Sequence, residues 1–170
     1  MKPVTILFLL LFANVYAQND AYTAARNNDV ALLEILKEKG TDFNVPDDRG
    51  FTPLTLATYN NSKEAVEFLL NEKVDLNSHD NSGNTALMGA AFKGYTDIAE
   101  ILLKSGANIN QVNANNATAL VFAATFGHAE MVKLFIKYKA DVAIADRFGK
   151  TAANHAEMQG NENIVLLLKS

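Results

Sequence analysis

Apolar residues recur along the chain at helical spacing, in short segments separated by polar breaks. The segment 52–84 shows the pattern. Thr52 is a favourable N-cap, and Pro53 suits the first helical position because its missing N–H has no intrahelical partner. The pattern predicts one short helix that begins at Pro53 and a second over about residues 63–71. One face of each helix is apolar and is expected to be buried: Leu54, Ala57, Val66, Leu69 and Leu70.

The same arrangement returns along the chain without a gap. A Thr stands at the start of four successive segments, each step being 33 residues: Thr52, Thr85, Thr118 and Thr151. An earlier, degenerate copy precedes them. Because no copy can bury its apolar face alone, the copies are expected to stack into one continuous domain over residues 18–170. The predicted repeats are 19–51, 52–84, 85–117, 118–150 and 151–170.

A 33-residue period whose copies begin Thr-Pro-Leu-x-x-Ala, or close to it, resembles the ankyrin repeat. The resemblance covers nearly all of residues 19–170. It implies an all-α solenoid of about five stacked helix-turn-helix repeats with short β-hairpin loops. The His that follows the Leu in most ankyrin repeats is replaced here, which implies fewer hydrogen bonds between neighbouring repeats. The residues in its place are Thr55, Met88, Val121 and Asn154.

The second helix of each repeat is expected to end in a left-handed residue. Gly40 and Gly106 adopt this conformation without strain. Lys73 and Lys139 stand at the corresponding positions of other repeats. If they hold the same backbone angles, each costs roughly 1 kcal/mol.

The first 17 residues have the pattern of a signal peptide. Lys2 is followed by an apolar run from Val4 to Phe12, and small residues precede the expected cleavage site after Ala17. The run is too short to span a bilayer, which takes roughly 20 residues. A single basic residue before a short apolar run is typical of bacterial signals. We therefore expect a periplasmic or secreted mature chain.

The two ends of the array are expected to be polar. Lys37 in the first repeat occupies the column that Leu70, Leu103 and Ile136 fill in later repeats. The last repeat carries Asn154, His155 and Glu157. Polar ends disfavour end-to-end stacking, so the sequence predicts an array of five repeats and a monomer.

Composition excludes several classes of function. The net charge is −4, and no basic stretch is present, which argues against a nucleic-acid partner. The chain contains no cysteine, so disulfides, thiolate catalysis and cysteine-ligated zinc are excluded. Apolar residues make up 49% of the chain, which is enough for a folded core.

No catalytic or metal-binding motif stands out. The three histidines, His79, His128 and His155, lack the spacing of metal ligands, and His128 is expected to make structural hydrogen bonds. The aspartates follow the repeat, as in the columns Asp42, Asp75, Asp141 and Asp47, Asp80, Asp146, which indicates a role in turns. No cofactor is expected, and the protein is predicted not to be an enzyme.

In proteins that resemble this one, partners bind at the hairpin tips and the exposed side of the first helices. Several aromatic and basic residues fall at those positions, and such residues supply most of the binding energy in protein interfaces. For Phe92 and Phe126, the alternative is that they fill gaps between repeats. The candidate partner-binding residues are Arg49, Phe51, Tyr59, Phe92, Lys93, Phe126, Arg147 and Phe148.

The resemblance and the lack of catalytic motifs together predict a non-catalytic protein-binding module outside the cytoplasm. One form is an inhibitor or immunity protein for a toxin or hydrolase. Another is a stress-protective factor associated with a periplasmic enzyme such as a catalase or peroxidase. The alternatives of other classes are an enzyme with an unrecognised site and a self-associating scaffold.

Overall fold

The computed structural model describes residues 17–169, which form helices joined by turns. The predicted signal peptide lies outside the described residues except for Ala17, which stands in the first helix. Within residues 17–169 there are isolated β-bridges but no strand, and no helix is both long and apolar enough to cross a membrane. The helices are α1 (17–27), α2 (Val30–Glu38), α3 (Pro53–Tyr59), α4 (Lys63–Asn71), α5 (Ala86–Lys93), α6 (Thr96–Lys104), α7 (Ala119–Thr125), α8 (Ala129–Lys137), α9 (Ala152–Met158) and α10 (Glu162–Lys169).

The helices group into two compact units, and the N-terminal unit ends at Val74. It contains α1 to α4, and α4 packs against both α2 and α3. The start of α3 is fixed by a reciprocal cap. The Thr52 backbone N–H donates to Thr55 Oγ1 at 2.8 Å, while the Thr55 backbone N–H donates to Thr52 Oγ1 at 3.3 Å. The predicted beginning of this helix at Pro53 is confirmed.

The C-terminal unit begins at Asp75 and has two layers of helices. The first helices of its repeats, α5, α7 and α9, pack side by side. The second helices pack in the same order, with α8 against both α6 and α10. The core between the layers contains fully buried side chains that recur with the repeat, including Leu87, Leu102, Leu120, Phe135 and Ile164. An all-α ankyrin-type solenoid is therefore confirmed as the fold.

Two of the positions that helical spacing assigned to buried columns are not buried. Leu70 is only half-buried, and Ile136 is exposed, whereas Leu103 in the same column is buried. This column lies at the edge of the apolar face. Burial at an edge depends on the side chains of the neighbouring repeat, which periodicity does not specify.

The repeated aspartates make the turns predicted for them. Asp47, Asp80 and Asp146 each accept two backbone N–H groups, two and four residues further along, at 2.8–2.9 Å. Asn113 does the same in the remaining repeat. The hairpins are short and appear as single bridges, such as His79 with Thr85. Each turn thus satisfies its backbone donors with one Asx side chain.

The left-handed residues at the ends of the second helices are also as expected. Gly40 and Gly106 have φ of 78° and 97°, and Lys73 and Lys139 have φ of 57° and 61°. A side chain with a Cβ is strained in this region, whereas glycine is not.

Replacing Lys139 by glycine should raise the free energy of unfolding by roughly 1 kcal/mol, because it removes this strain. Lys139 is exposed, and no ion pair is found for it among residues 17–169. Urea denaturation of the wild type and of Lys139→Gly measures the change. Lys133→Gly, in the interior of α8, is the matched control and should lower stability by a similar amount. Equal destabilisation by both substitutions would show that the left-handed backbone of Lys139 is not strained.

The expectation of polar ends holds only in part. Lys37 is exposed and forms an ion pair with Glu72 at 2.7 Å. At the other end, Leu166 on α10 is 72% exposed and Met158 on α9 is also exposed. The prediction of a polar C-terminal end is therefore wrong. Helix α10 is apolar on more than one side, and only one of these sides is buried.

Candidate functional site

An exposed aromatic pair lies where α5 and α7 end. Phe92 stands in the last turn of α5, and Phe126 is the C-cap residue of α7. Their ring centroids are 4.7 Å apart and the rings meet edge to face, with an interplanar angle of 81°. Phe92 is 39% and Phe126 48% exposed. The two rings therefore contact each other and still present apolar surface to solvent.

The predicted basic neighbour joins this pair. Lys93 Nζ lies 5.6 Å from the centroid of the Phe92 ring, within the range of a cation–π contact. We call Phe92, Lys93 and Phe126 the aromatic patch. Met158 occupies the position equivalent to Phe92 on α9, which packs beside α7, and is exposed as well.

The backbone beneath the aromatic patch is held by His128. His128 Nε2 lies 3.2 Å from the carbonyl oxygen of Phe92, within hydrogen-bond distance. The ring rests against Gly94, where an added Cβ would be 2.8 Å from His128 Cε1. Gly94 also has a φ of 77°. The expected structural role of His128 is confirmed, and its effect is to fix the end of α5 against the next repeat.

Arg147 and Phe148 form a second exposed pair at a hairpin tip. The Arg147 guanidinium carbon lies 4.7 Å from the centroid of the Phe148 ring, and Phe148 is 70% exposed. The tip is rigidly placed, since Asp146 accepts the Phe148 N–H and the Arg147 N–H donates to the Asn115 carbonyl oxygen at 2.8 Å. An ordered arginine–aromatic pair at a surface tip is well suited to contact another protein.

The three candidate residues of the N-terminal unit also lie together. Arg49 stacks on Phe51 at 4.8 Å, and the Phe51 ring lies 5.7 Å from that of Tyr59. Both aromatic side chains are half-buried, so they serve partly as packing. Burial favours a raised pKa for Asp47, but hydrogen bonds from the Phe51 and Arg49 N–H groups outweigh it and hold the pKa below its usual range. Contact of Arg49, Phe51 and Tyr59 with a partner remains a prediction.

The sequence did not reveal one contact, between His155 and Asp146. His155 Nε2 lies 2.8 Å from Asp146 Oδ2, and both side chains are largely buried. Nine residues separate them, so only the return of the chain from hairpin to α9 brings them together. His79 is exposed, with Nδ1 3.2 Å from the Asp80 carbonyl oxygen.

The environment of Asp146 predicts a pH dependence of stability. A hydrogen bond from the Lys150 N–H lowers the pKa of Asp146, burial opposes this, and His155 and the Phe148 N–H lower it further. A lowered folded-state pKa stabilises the protein above the pKa of the unfolded chain, about 4, and this contribution disappears as pH falls through the folded-state pKa. We expect Asp146→Asn to be less stable than wild type at neutral pH and to approach it in acid. Denaturant titrations at several pH values measure this, and a difference that stays constant below about pH 4 would contradict it.

Residues 17–169 contain no group of three or more His, Asp or Glu side chains placed to hold a metal ion. His128 and His155 each contact a group of the repeat scaffold.

The comparison with family models agrees with the geometry. A family model described as ankyrin repeats, in three copies, matches residues 21–113 and residues 106–170. The chain belongs to the ankyrin-repeat family. Such repeats are generally protein–protein interaction modules and are typically non-catalytic. A search of the curated proteins found no match.

Proposed function

We propose that this chain is a non-catalytic protein-binding module that acts outside the cytoplasm and contacts its partner through the aromatic patch. The observation that carries the proposal is the edge-to-face pair of Phe92 and Phe126. Each ring is fixed by the other, so little side-chain entropy is lost on binding. Each nevertheless keeps two fifths to one half of its surface free for a partner.

The alternative that these rings only fill gaps between repeats is less consistent with their exposure. A gap-filling side chain is enclosed by both repeats, as Phe135 is, with no exposed surface. Phe92 and Phe126 instead lie at the open ends of two packed helices. Lys93 beside them, and Arg147 with Phe148 at the hairpin tip, add positive charge to a chain whose net charge is −4. This combination favours a partner segment with apolar and acidic side chains.

Capture of the partner tests the proposal. The purified protein is immobilised and exposed to an envelope extract of its source organism at moderate salt. We expect one dominant protein to be retained by the wild type and lost with the double variant Phe92→Ala/Phe126→Ala. Ile35→Ala/Val142→Ala is the matched control, because it also removes two exposed apolar side chains. Equal retention by all three proteins would contradict the proposed patch.

The identity of the captured protein separates the two forms of the function. A toxin or hydrolase would support an inhibitor or immunity protein. A catalase, peroxidase or similar periplasmic enzyme would support a stress-protective factor. Loss of the captured enzyme's activity on addition of the wild type, and not of the double variant, would be expected only in the first case.

Export is tested separately, on the N-terminus of the protein made in its source cell. Cleavage after Ala17 leaves a mature chain that begins at Gln18. Intact-mass measurement of the protein from the extracellular and periplasmic fractions is expected to show this species. A cytoplasmic protein that retains Lys2 and the apolar run would exclude export.

A further inference from the structure

Helix α10 has an apolar surface that its own repeat leaves exposed to solvent. Ile164 is the residue that it buries completely, and Leu166 is the most exposed large hydrophobic side chain within residues 17–169. Val165 beside it is half-buried. Leu166 also borders two grooves, one of about 390 Å³ with residues of α8 and one of about 440 Å³ that ends at Glu157 and Gly160. It thus forms a ridge between two concave surfaces.

The residues along this side of α10 are arranged in a self-complementary order. Glu162, Val165, Leu166 and Lys169 lie at positions i, i+3, i+4 and i+7, which share one helical face. From Glu162 to Lys169 the order is a negative charge, two apolar residues and a positive charge. In the reverse direction the order is the same except that the two charges exchange places. A second copy of α10 packed antiparallel would place Glu162 opposite the partner's Lys169, and Val165 opposite the partner's Leu166.

The charges at the two ends are available for such pairing. Glu162 is exposed, and within residues 17–169 no ion pair is found for it. Lys169 is exposed and contacts Glu157 of the same chain at 2.8 Å, which orients its ammonium group without enclosing it. Opposite charges set the register of a helix pair, because a parallel pairing would bring Glu162 against Glu162.

We propose that two copies of this chain associate through α10, in a symmetric antiparallel pair centred on Val165 and Leu166. Symmetric use of one patch by both subunits is the commonest arrangement among soluble homo-oligomers. α10 is about 12 Å long, so the contact is small and the dimer is expected to be weak and dependent on concentration. This proposal departs from the monomer expected from the sequence, which rested on polar residues at both ends of the array.

Charge reversal tests both the pairing and its symmetry. Sedimentation equilibrium of the purified protein, from about 10 µM to about 1 mM, should show a weight-average mass that rises towards that of a dimer, as small interfaces require. Glu162→Lys places two lysines opposite each other at each end of the pair, and Lys169→Glu places two glutamates there. Each single variant should remain monomeric over the same range.

An equimolar mixture of the two single variants should regain the association, because every lysine then faces a glutamate. The mixture contains the same folded chains as the separate samples, so a local effect of either substitution on α10 cannot produce the recovery. Glu34→Lys, an exposed reversal on α2, is the charge-matched control and should dimerise like the wild type.

Two results would overturn the proposal. One is a wild type that stays monomeric at the highest concentration. The other is association that persists in both single variants or fails to return in their mixture. The measurement uses the protein alone, so its outcome is independent of whether the aromatic patch captures a partner.

Discussion

Replacing Phe92 and Phe126 together by alanine is expected to weaken binding of the captured partner by about a thousandfold. Buried aromatic anchors contribute roughly 2 kcal/mol each, and about 4 kcal/mol corresponds to a factor of about 10³ in Kd. The loss should lie mainly in the dissociation rate, because the long-range charge that guides encounter is unchanged. Isothermal titration calorimetry or surface plasmon resonance measures the affinity of each variant.

The two rings contact each other, so the sum of the losses in the two single variants should exceed the loss in the double variant. Each single substitution also removes the edge-to-face support of the other ring, and the coupling is expected to be about 0.5–1.5 kcal/mol. Far-ultraviolet circular dichroism should be unchanged in the double variant, since both side chains lie at the surface. An affinity within threefold of wild type, with helical content intact, would place the interface elsewhere on the protein.

Replacing Phe135 by alanine should lower the free energy of unfolding by about 3–5 kcal/mol. Phe135 is fully buried on α8, which packs against both α6 and α10. Removing the ring leaves a cavity between neighbouring repeats, and stability in a repeat protein comes largely from such contacts between neighbours. Urea denaturation followed by circular dichroism measures the loss.

Ile136→Ala is the matched control for this prediction. Ile136 is the next residue of the same helix, but it is exposed, so its loss should cost less than about 1 kcal/mol. Equal effects of the two substitutions would contradict the assignment of Phe135 to the core and Ile136 to the surface.

Local features of the fold could be predicted because they depend on nearby residues. The Thr52 cap, the turns at Asp47, Asp80 and Asp146, and the left-handed Lys139 are set by interactions within about five residues. Because the same residues recur at fixed positions in each repeat, the local structure predicted for one repeat also applies to the next.

Features that depend on two distant segments could not be predicted in the same way. Helical spacing placed Ile136 in a buried column but could not show that the neighbouring repeat leaves it open. The pairing of His155 with Asp146 requires the path of the chain between a hairpin and α9. For Phe92 and Phe126 the sequence left gap filling and partner contact open, because the distance between the rings and their exposure depend on two neighbouring repeats.

The central claim is tested most directly by hydrogen–deuterium exchange of the protein with and without its captured partner. The account predicts slower exchange on binding in the peptides that contain Phe92 to Gly94 and Phe126 to His128, and at the Arg147–Phe148 tip. Helix α10 and the C-terminal end of α4 should exchange at unchanged rates. Protection confined to those control segments, with the aromatic patch unaffected, would contradict the account.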